Sequence, residues 1–224
     1  MAEQRPHRPD PGKSAAAIPG PGKSAAAIPG PGKSAAAIPG PGKSAAAIPG
    51  PGKSAAAIPG PGESDAGFLA GQILDLLLTR GETLAVAESL TGGLICAALT
   101  DIPGASQVVR GGIVAYATDL KAVLLGVPRK LIDRYGAVHP DVATAMAEGV
   151  RLRLDAAFSV ATTGVAGPDP QDGQPVGTVH VAVAAERDTV VQTVALPGDR
   201  AAVRAATVAV SLRLLLGRLK EEVN

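Results

Sequence analysis

From Ser64 onward the apolar positions fall into two rhythms. Stripes at three- and four-residue spacing predict helices, and short continuous or alternating runs predict strands. Ser64 to Arg80 reads as a helix, with Ser64 as cap, a stripe of Phe68, Leu69, Ile73, Leu76 and Leu77, and Gly81 as its end. Thr83 to Ala87 is a buried strand, and Thr91 to Thr100 a helix stopped by Pro103-Gly104. Val108 to Ala117 alternates as a second strand, whose Gly111-Gly112 predicts a bulge or a close backbone approach. Thr118 caps a helix through Leu125, Pro128 starts a short one to Tyr135, and Pro140 a longer one to Leu154 with Val142, Met146 and Val150 on one face. Ala156 to Ala161 is a third strand, and Thr178 to Ala185 and Thr189 to Leu196 form a hairpin across Glu186-Arg187-Asp188. Asp199 caps a last helix to about Leu219, apolar on more than one face, as at a subunit interface. This order predicts an α/β fold, a mixed sheet with helices on both faces.

Residues 11–60 obey neither rhythm: they are five copies of PGKSAAAIPG. Proline and glycine break every candidate helix, and the Ala-Ala-Ala-Ile patch is too short to offset helix nucleation. Residues 1–60 are expected to be a disordered tail, spanning on the order of 40 Å as a coil, and 61–224 the folded domain. Gly-Lys-Ser recurs in each copy, but a phosphate loop needs a glycine five residues earlier, after a strand; before Gly22-Lys23-Ser24 that place holds Ala17. A weak basic arm and an inert repeat expansion remain as readings of the tail.

Charge separates the two parts further. Residues 1–60 carry seven Lys/Arg against two Asp/Glu, and residues 61–224 fourteen against eighteen. The acidic balance of the domain argues against nucleic acid as its partner. Aromatic residues are scarce, so the core is one of Ala, Val, Leu and Ile. The single cysteine, Cys96, excludes an internal disulfide and fits a core position. No apolar run reaches the ~18 residues of a membrane span, and Met1 to Asp10 lacks the apolar core of a signal peptide. The expectation is a soluble, cytoplasmic protein that touches no membrane.

Candidate chemistry starts at Ala85–Gly93, AVAESLTGG. A buried strand that turns through glycines into a helix lifts Ser89 to the sheet's end and leaves backbone N–H groups unpaired near Thr91, Gly92 and Gly93. An incidental serine in an ordinary turn is the alternative. Tyr116 ends a strand, and Lys121 stands at the third position of the helix that Thr118 caps. A lysine has the wrong charge for a helix start. Either it bends into water or its amine is partly buried, loses its proton readily and works as a base. Thr163-Gly164-Val165-Ala166-Gly167-Pro168 reads either as a connecting loop or as a concave nest for an anion. Arg200, with Arg204 one turn on, repeats the misplaced cation at the last helix; a bound anion would reconcile it, and a solvated helix start is the alternative. His7, His139 and His180 have no metal-site spacing with one another or with Cys96.

Six segments taken together resemble one family: AESLTGG at 87–93, GGIVAYATDLKAVLLGV at 111–127, YGAV at 135–138, TGVAGPD at 163–169, PVGTV at 175–179 and PGDRAAVR at 197–204. They resemble the CinA C-terminal domain family of competence/damage-inducible proteins, whose characterised activity is nicotinamide mononucleotide amidohydrolase. The resemblance covers about residues 64–220. It implies a three-layer α/β/α sandwich and hydrolysis of the nicotinamide mononucleotide carboxamide to nicotinate mononucleotide and ammonia, without metal or cofactor. It puts the family's serine, tyrosine and lysine on Ser89, Tyr116 and Lys121, its loop threonine on Thr163 and its arginine on Arg200. Backbone donors around Thr91–Gly93 or Gly164–Gly167 are expected to hold an oxyanion or the phosphate. A homodimer is expected by resemblance. Departures are Leu90 where many relatives have cysteine, Gln174 where many have lysine, and His139-Pro140-Asp141 in place of a serine cap. By the resemblance, the larger relatives' molybdopterin-binding-like N-terminal domain is expected to be absent, with the repeats in its place. The alternative function is a catalytically weak module that binds a nucleotide or a protein in competence or the damage response.

Overall fold

All five apolar runs join one sheet. The computed structural model describes residues 65–221, so the expected tail and the capping Ser64 lie outside the described residues. The elements run α1 (Asp65–Arg80), β1 (Leu84–Glu88), α2 (Leu94–Thr100), β2 (Val109–Val114), α3 (Thr118–Leu125), α4 (Arg129–Tyr135), α5 (Pro140–Arg153), β3 (Phe158–Gly164), β4 (Thr178–Ala184), β5 (Thr189–Ala195) and α6 (Arg200–Glu221). A short 3₁₀ turn, Ala105–Gln107, precedes β2.

The sheet order is β2-β1-β3-β4-β5. β1 pairs in parallel with β2 and β3, and the β3–β4 and β4–β5 pairs are antiparallel. β1, β3 and β4 are covered on both faces, so both apolar residues and a few polar ones, Glu88, Ser159, Thr162 and His180, are buried along them. One core, built on Ile73, Leu77, Val86, Leu99, Val160, Leu212 and Leu215, lies under α1, α2 and α6. The other, built on Ala85, Ala87, Val142, Met146, Val150 and Ala161, lies under α3, α4 and α5. The described residues thus form a three-layer α/β/α sandwich.

From β1 the chain crosses to β2 on one side, then passes over β1 to β3 on the other. The crevice between the carboxyl ends of β1 and β3 is therefore the topological switch point, where open α/β sheets collect ligands.

Local details follow from close contacts. The β1–β2 register shifts between Leu84 and Ala85, so Arg110 is the extra residue of a bulge. A Cβ on Gly112 would lie 2.0 Å from the Cys96 sulfur, so the glycine makes room for α2. A Cβ on Gly149 would lie 1.8 Å from the Leu125 carbonyl oxygen, so that glycine lets α5 close onto the end of α3.

Three expectations need correction. Phe68 is exposed, because the buried stripe of α1 runs through Leu69, Ala70, Ile73, Leu74 and Leu77. α2 begins at Leu94 rather than Thr91, because Gly92 and Gly93 take positive φ (59° and 99°) and carry the chain through a turn first. Ala117, not Thr118, is the N-cap of α3, without a side-chain cap bond, so Lys121 falls one position deeper into the helix. α6 packs on α1 as well as on the sheet.

Candidate active site

Ser89 follows directly on β1 and is held by the sheet on one side and its turn on the other. Its N–H donates to the Thr162 carbonyl of β3 (3.1 Å), and the Ala115 N–H donates to the Glu88 carbonyl (2.9 Å). Alternation along β1 sends Glu88 to the α2 face and Ser89 to the α3 face. The fully buried Glu88 carboxylate accepts from the N–H groups of Gly93 (2.8 Å), Ile95 (3.2 Å) and Cys96 (2.9 Å). The α2 N-terminus therefore already holds its anion, and that anion belongs to the chain.

The Gly92 and Gly93 N–H groups expected to meet a ligand have partners inside the chain. The Gly93 N–H is taken by Glu88, the Gly92 N–H donates to the Ser89 carbonyl (3.2 Å), and the Thr91 hydroxyl pairs with that of Thr162 (3.0 Å). Arg204 is engaged likewise. Its Nε and Nη2 donate to the Leu90 and Thr91 carbonyls (2.9 and 2.8 Å), so its charge clamps the turn from α6. These four residues shape the Ser89 turn and do not line the cavity beside it.

Lys121 is the largest of the fully buried side chains, 1% exposed. Its Nζ lies 3.0 Å from Ser89 Oγ and donates to the Ala115 carbonyl at 2.9 Å, with the Tyr116 carbonyl at 3.5 Å. Burial pulls the amine's pKa down to about 8, while the carboxylates of Asp172 and Asp119 pull the other way. Roughly a tenth of the amine is neutral at pH 7. In that state its lone pair can accept the Ser89 hydroxyl proton, reversing the direction of the bond.

The pair opens on a cavity of about 110 Å³ lined by Ser89, Tyr116, Lys121, Thr163, Gly167 and Arg200 among others. Thr163, at the end of β3, donates its hydroxyl proton to the Ala137 carbonyl (2.7 Å) and so ties the α4–α5 junction to the sheet. Gly164 and Gly167 also line the cavity. Gly167 takes φ 85°, and a Cβ there would meet Val176 at 2.9 Å. Arg200 spans the mouth: Nη2 donates to the Tyr116 hydroxyl (2.7 Å) and Nη1 to the Gly167 carbonyl (3.0 Å). Both side chains of that bridge are exposed.

Sequence reasoning passed over Glu88 and Asp172. An acid closing an apolar strand just before a glycine turn was the available signal for Glu88. Nothing local marked Asp172, whose Oδ2 accepts from the Ala137 and Val138 N–H groups 35 and 34 positions away (2.6 and 3.2 Å).

Other candidates fall outside this cavity. Cys96 is half-buried, its thiol pushed up to about 12 by burial first and by Glu88 second, which leaves it unreactive. His180 is buried in β4 with Nδ1 on the Thr193 hydroxyl (2.9 Å), and burial and His139 lower its pKa. His139 caps α5, accepting from the Asp141 N–H (3.2 Å). No group of His, Cys, Asp and Glu among the described residues has metal-site geometry. No helix among them is long and apolar enough to cross a membrane. A larger hollow of about 800 Å³ lies at the opposite end of the sheet, where Glu82, Arg151, Asp188 and Arg218 bring charges of both signs together, far from Ser89.

Known proteins share this arrangement of elements. The family model of the CinA C-terminal domain matches residues 67–219. A CinA-like protein of Frankia casuarinae is 54% identical over 147 residues, covering 66% of this chain and 34% of the relative. A CinA-like protein of Gemmatimonas aurantiaca is 48% identical over 137 residues, 61% of this chain and 32% of the relative. The chain thus spans about a third of the length of these curated relatives. The crystal structure of competence/damage inducible protein CihA from Agrobacterium tumefaciens superposes with a TM-score of 0.67 at 38% identity, covering 70% of this chain and 96% of that one. A competence or damage-inducible protein from Enterobacter asburiae gives 0.67 at 32% identity, covering 69% and 98%. With its switch-point serine, its buried lysine and this match over most of its length, the chain belongs to the CinA C-terminal domain family.

Proposed function

We propose that the protein is an amidohydrolase that converts nicotinamide mononucleotide to nicotinate mononucleotide and ammonia. The observation that carries the reading is the buried contact of Lys121 Nζ with Ser89 Oγ at 3.0 Å, open to a cavity with a cation at its mouth. A hydroxyl activated by a desolvated amine suits attack on an unreactive carboxamide carbon.

Neutral Lys121 takes the Ser89 proton as Oγ bonds to the carboxamide carbon. The carbonyl oxygen becomes an oxyanion, held by backbone donors of the Gly164–Gly167 segment. The C–N bond breaks, the Lys121 ammonium gives its proton to the departing nitrogen, and ammonia leaves. Water then gives a proton to Lys121 and attacks the acyl ester; as the bond from the acyl carbon to Oγ breaks, the Lys121 ammonium returns that proton to Ser89 Oγ, and nicotinate mononucleotide leaves. Tyr116 orients the Lys121 side of the cavity and fixes Arg200, whose charge meets the phosphate at the mouth. Thr163 holds the wall opposite.

The direct test is ammonia release from nicotinamide mononucleotide by the purified protein. Turnover is expected, and Ser89→Ala is expected to lower kcat by about a thousandfold or more. A nicotinoyl ester on Ser89, trapped and read by mass spectrometry, would support the covalent route. Full turnover in Ser89→Ala would end this reading, and tight binding without ammonia release would favour the binding-module alternative.

A further inference from the structure

The segment 165–177 between β3 and β4 is a built strap. Its base is closed by Val165 N–H on the Thr178 carbonyl (2.9 Å) and Gly177 N–H on the Val165 carbonyl (2.8 Å). Its tip is closed by reciprocal backbone bonds between Gln171 and Gln174 (3.2 and 2.8 Å). Asp172 and Gly173 make the turn with φ of 53° and 74°. Asp172 then reaches across to the α4–α5 junction, where its Oδ2 takes the N–H groups of Ala137 (2.6 Å) and Val138 (3.2 Å), both residues nearly fully buried. The approach is so close that a Cβ on Gly136 would lie 2.5 Å from the Asp172 side chain.

The strap and the junction form facing walls of the cavity beside Ser89: Gly167, Asp169 and Gln171 from one, Ala137 and Val138 from the other. Asp172 is thus the tie between two walls, and its carboxylate also acts on the Lys121 amine. The other charged or titratable groups around that amine are Asp119 on its own helix, Asp169 of the strap, Arg200 of α6 and the Tyr116 phenol that Arg200 holds. Asp172 is the one that both bears on the amine's charge and ties two walls of the cavity.

We propose that Asp172 is a positioning residue of the deamidation site: it latches the strap over the cavity and stabilises the ammonium that forms on Lys121 when Ser89 gives up its proton. The proposal rests on the amidohydrolase reading. It assigns Asp172 an indirect part, acting through the cavity wall and the charge of the base without touching substrate.

The full-length protein is compared with Asp172→Asn, which removes the charge and keeps an acceptor, and Asp172→Ala, which removes both. In Asp172→Asn the acid limb of the kcat/KM profile is expected to move to lower pH by roughly half a unit, and its plateau to fall about three- to tenfold. An NMR titration of the Lys121 amine should move the same way. In Asp172→Ala the Ala137 and Val138 amides should exchange with solvent about tenfold faster or more. An unmoved limb and titration would overturn the proposal, and with faster exchange alone Asp172 would be a structural tie only. Unchanged exchange would overturn the latch. The NMR and exchange readings need no turnover, so a wild type that releases no ammonia defeats the amidohydrolase reading while they still judge Asp172.

Discussion

Lys121 carries the largest local conflict in the chain: a cation near a helix start, then buried to 1% exposure. Burial favours the neutral form, and only that form is a base. If it is the base, kcat/KM should rise about tenfold per pH unit below pH 8 and level off above it, a profile that steady-state assays would trace. The same shift has a stability consequence of known sign. The folded lysine loses its proton near pH 8 and the unfolded one near ~10.4, so between those values the unfolded chain binds more protons. Stability should therefore rise with pH across that window, by roughly 3 kcal/mol relative to Lys121→Met. Urea unfolding of both proteins at pH 7 and pH 10 would check it. The conflict at Lys121 was legible locally, because charge and helix position are adjacent facts. The role of Asp172 was not, because its partners stand 35 and 34 positions away.

At the scale of elements, the serine turn is over-determined. α2 has seven residues, too few to persist alone, and Glu88 holds its N-terminus through three N–H groups. Glu88→Ala should cost about 3 kcal/mol in unfolding free energy, since buried donors lose a charged acceptor. Denaturant titration would read it, and no loss would mean that water replaces the carboxylate. Arg204 braces the same turn from α6. Arg204→Ala should lower stability by about 1–2 kcal/mol; a raised KM with unchanged stability would instead return Arg204 to substrate binding. The apolar stripes foretold α1, α5 and α6, and the runs foretold all five strands. The start of α2 was missed because a positive-φ glycine pair can open a helix or delay it, and the choice depends on where Glu88 reaches.

Across the whole molecule, the cavity is assembled from the ends of β1 and β3, the β1–α2 turn, the β2–α3 connection, α3, the α4–α5 junction, the strap and the start of α6. Among the described residues, those that line it fall between Ser89 and Arg200. A chain lacking residues 1–60 should therefore keep the kcat/KM of the full chain, as judged by ammonia release. A loss would assign the repeats a part in turnover.

The amino-acid order alone determined which stretches become strands and helices, because periods of two and near four are local properties of the backbone. It also determined which side chains were chemically out of place: a serine in a glycine turn and two cations at helix starts. Their partners were decided in three dimensions. The sheet order carries α3 over the end of β1, so Lys121 meets Ser89 across 32 positions. The same packing turns Arg204 onto the backbone, gives the α2 N-terminus to Glu88, and seats Asp172 on the α4–α5 junction. Hydrogen-bond partners brought together by crossovers leave no mark in local spacing. A donor is claimed by whichever acceptor the fold brings within about 3 Å.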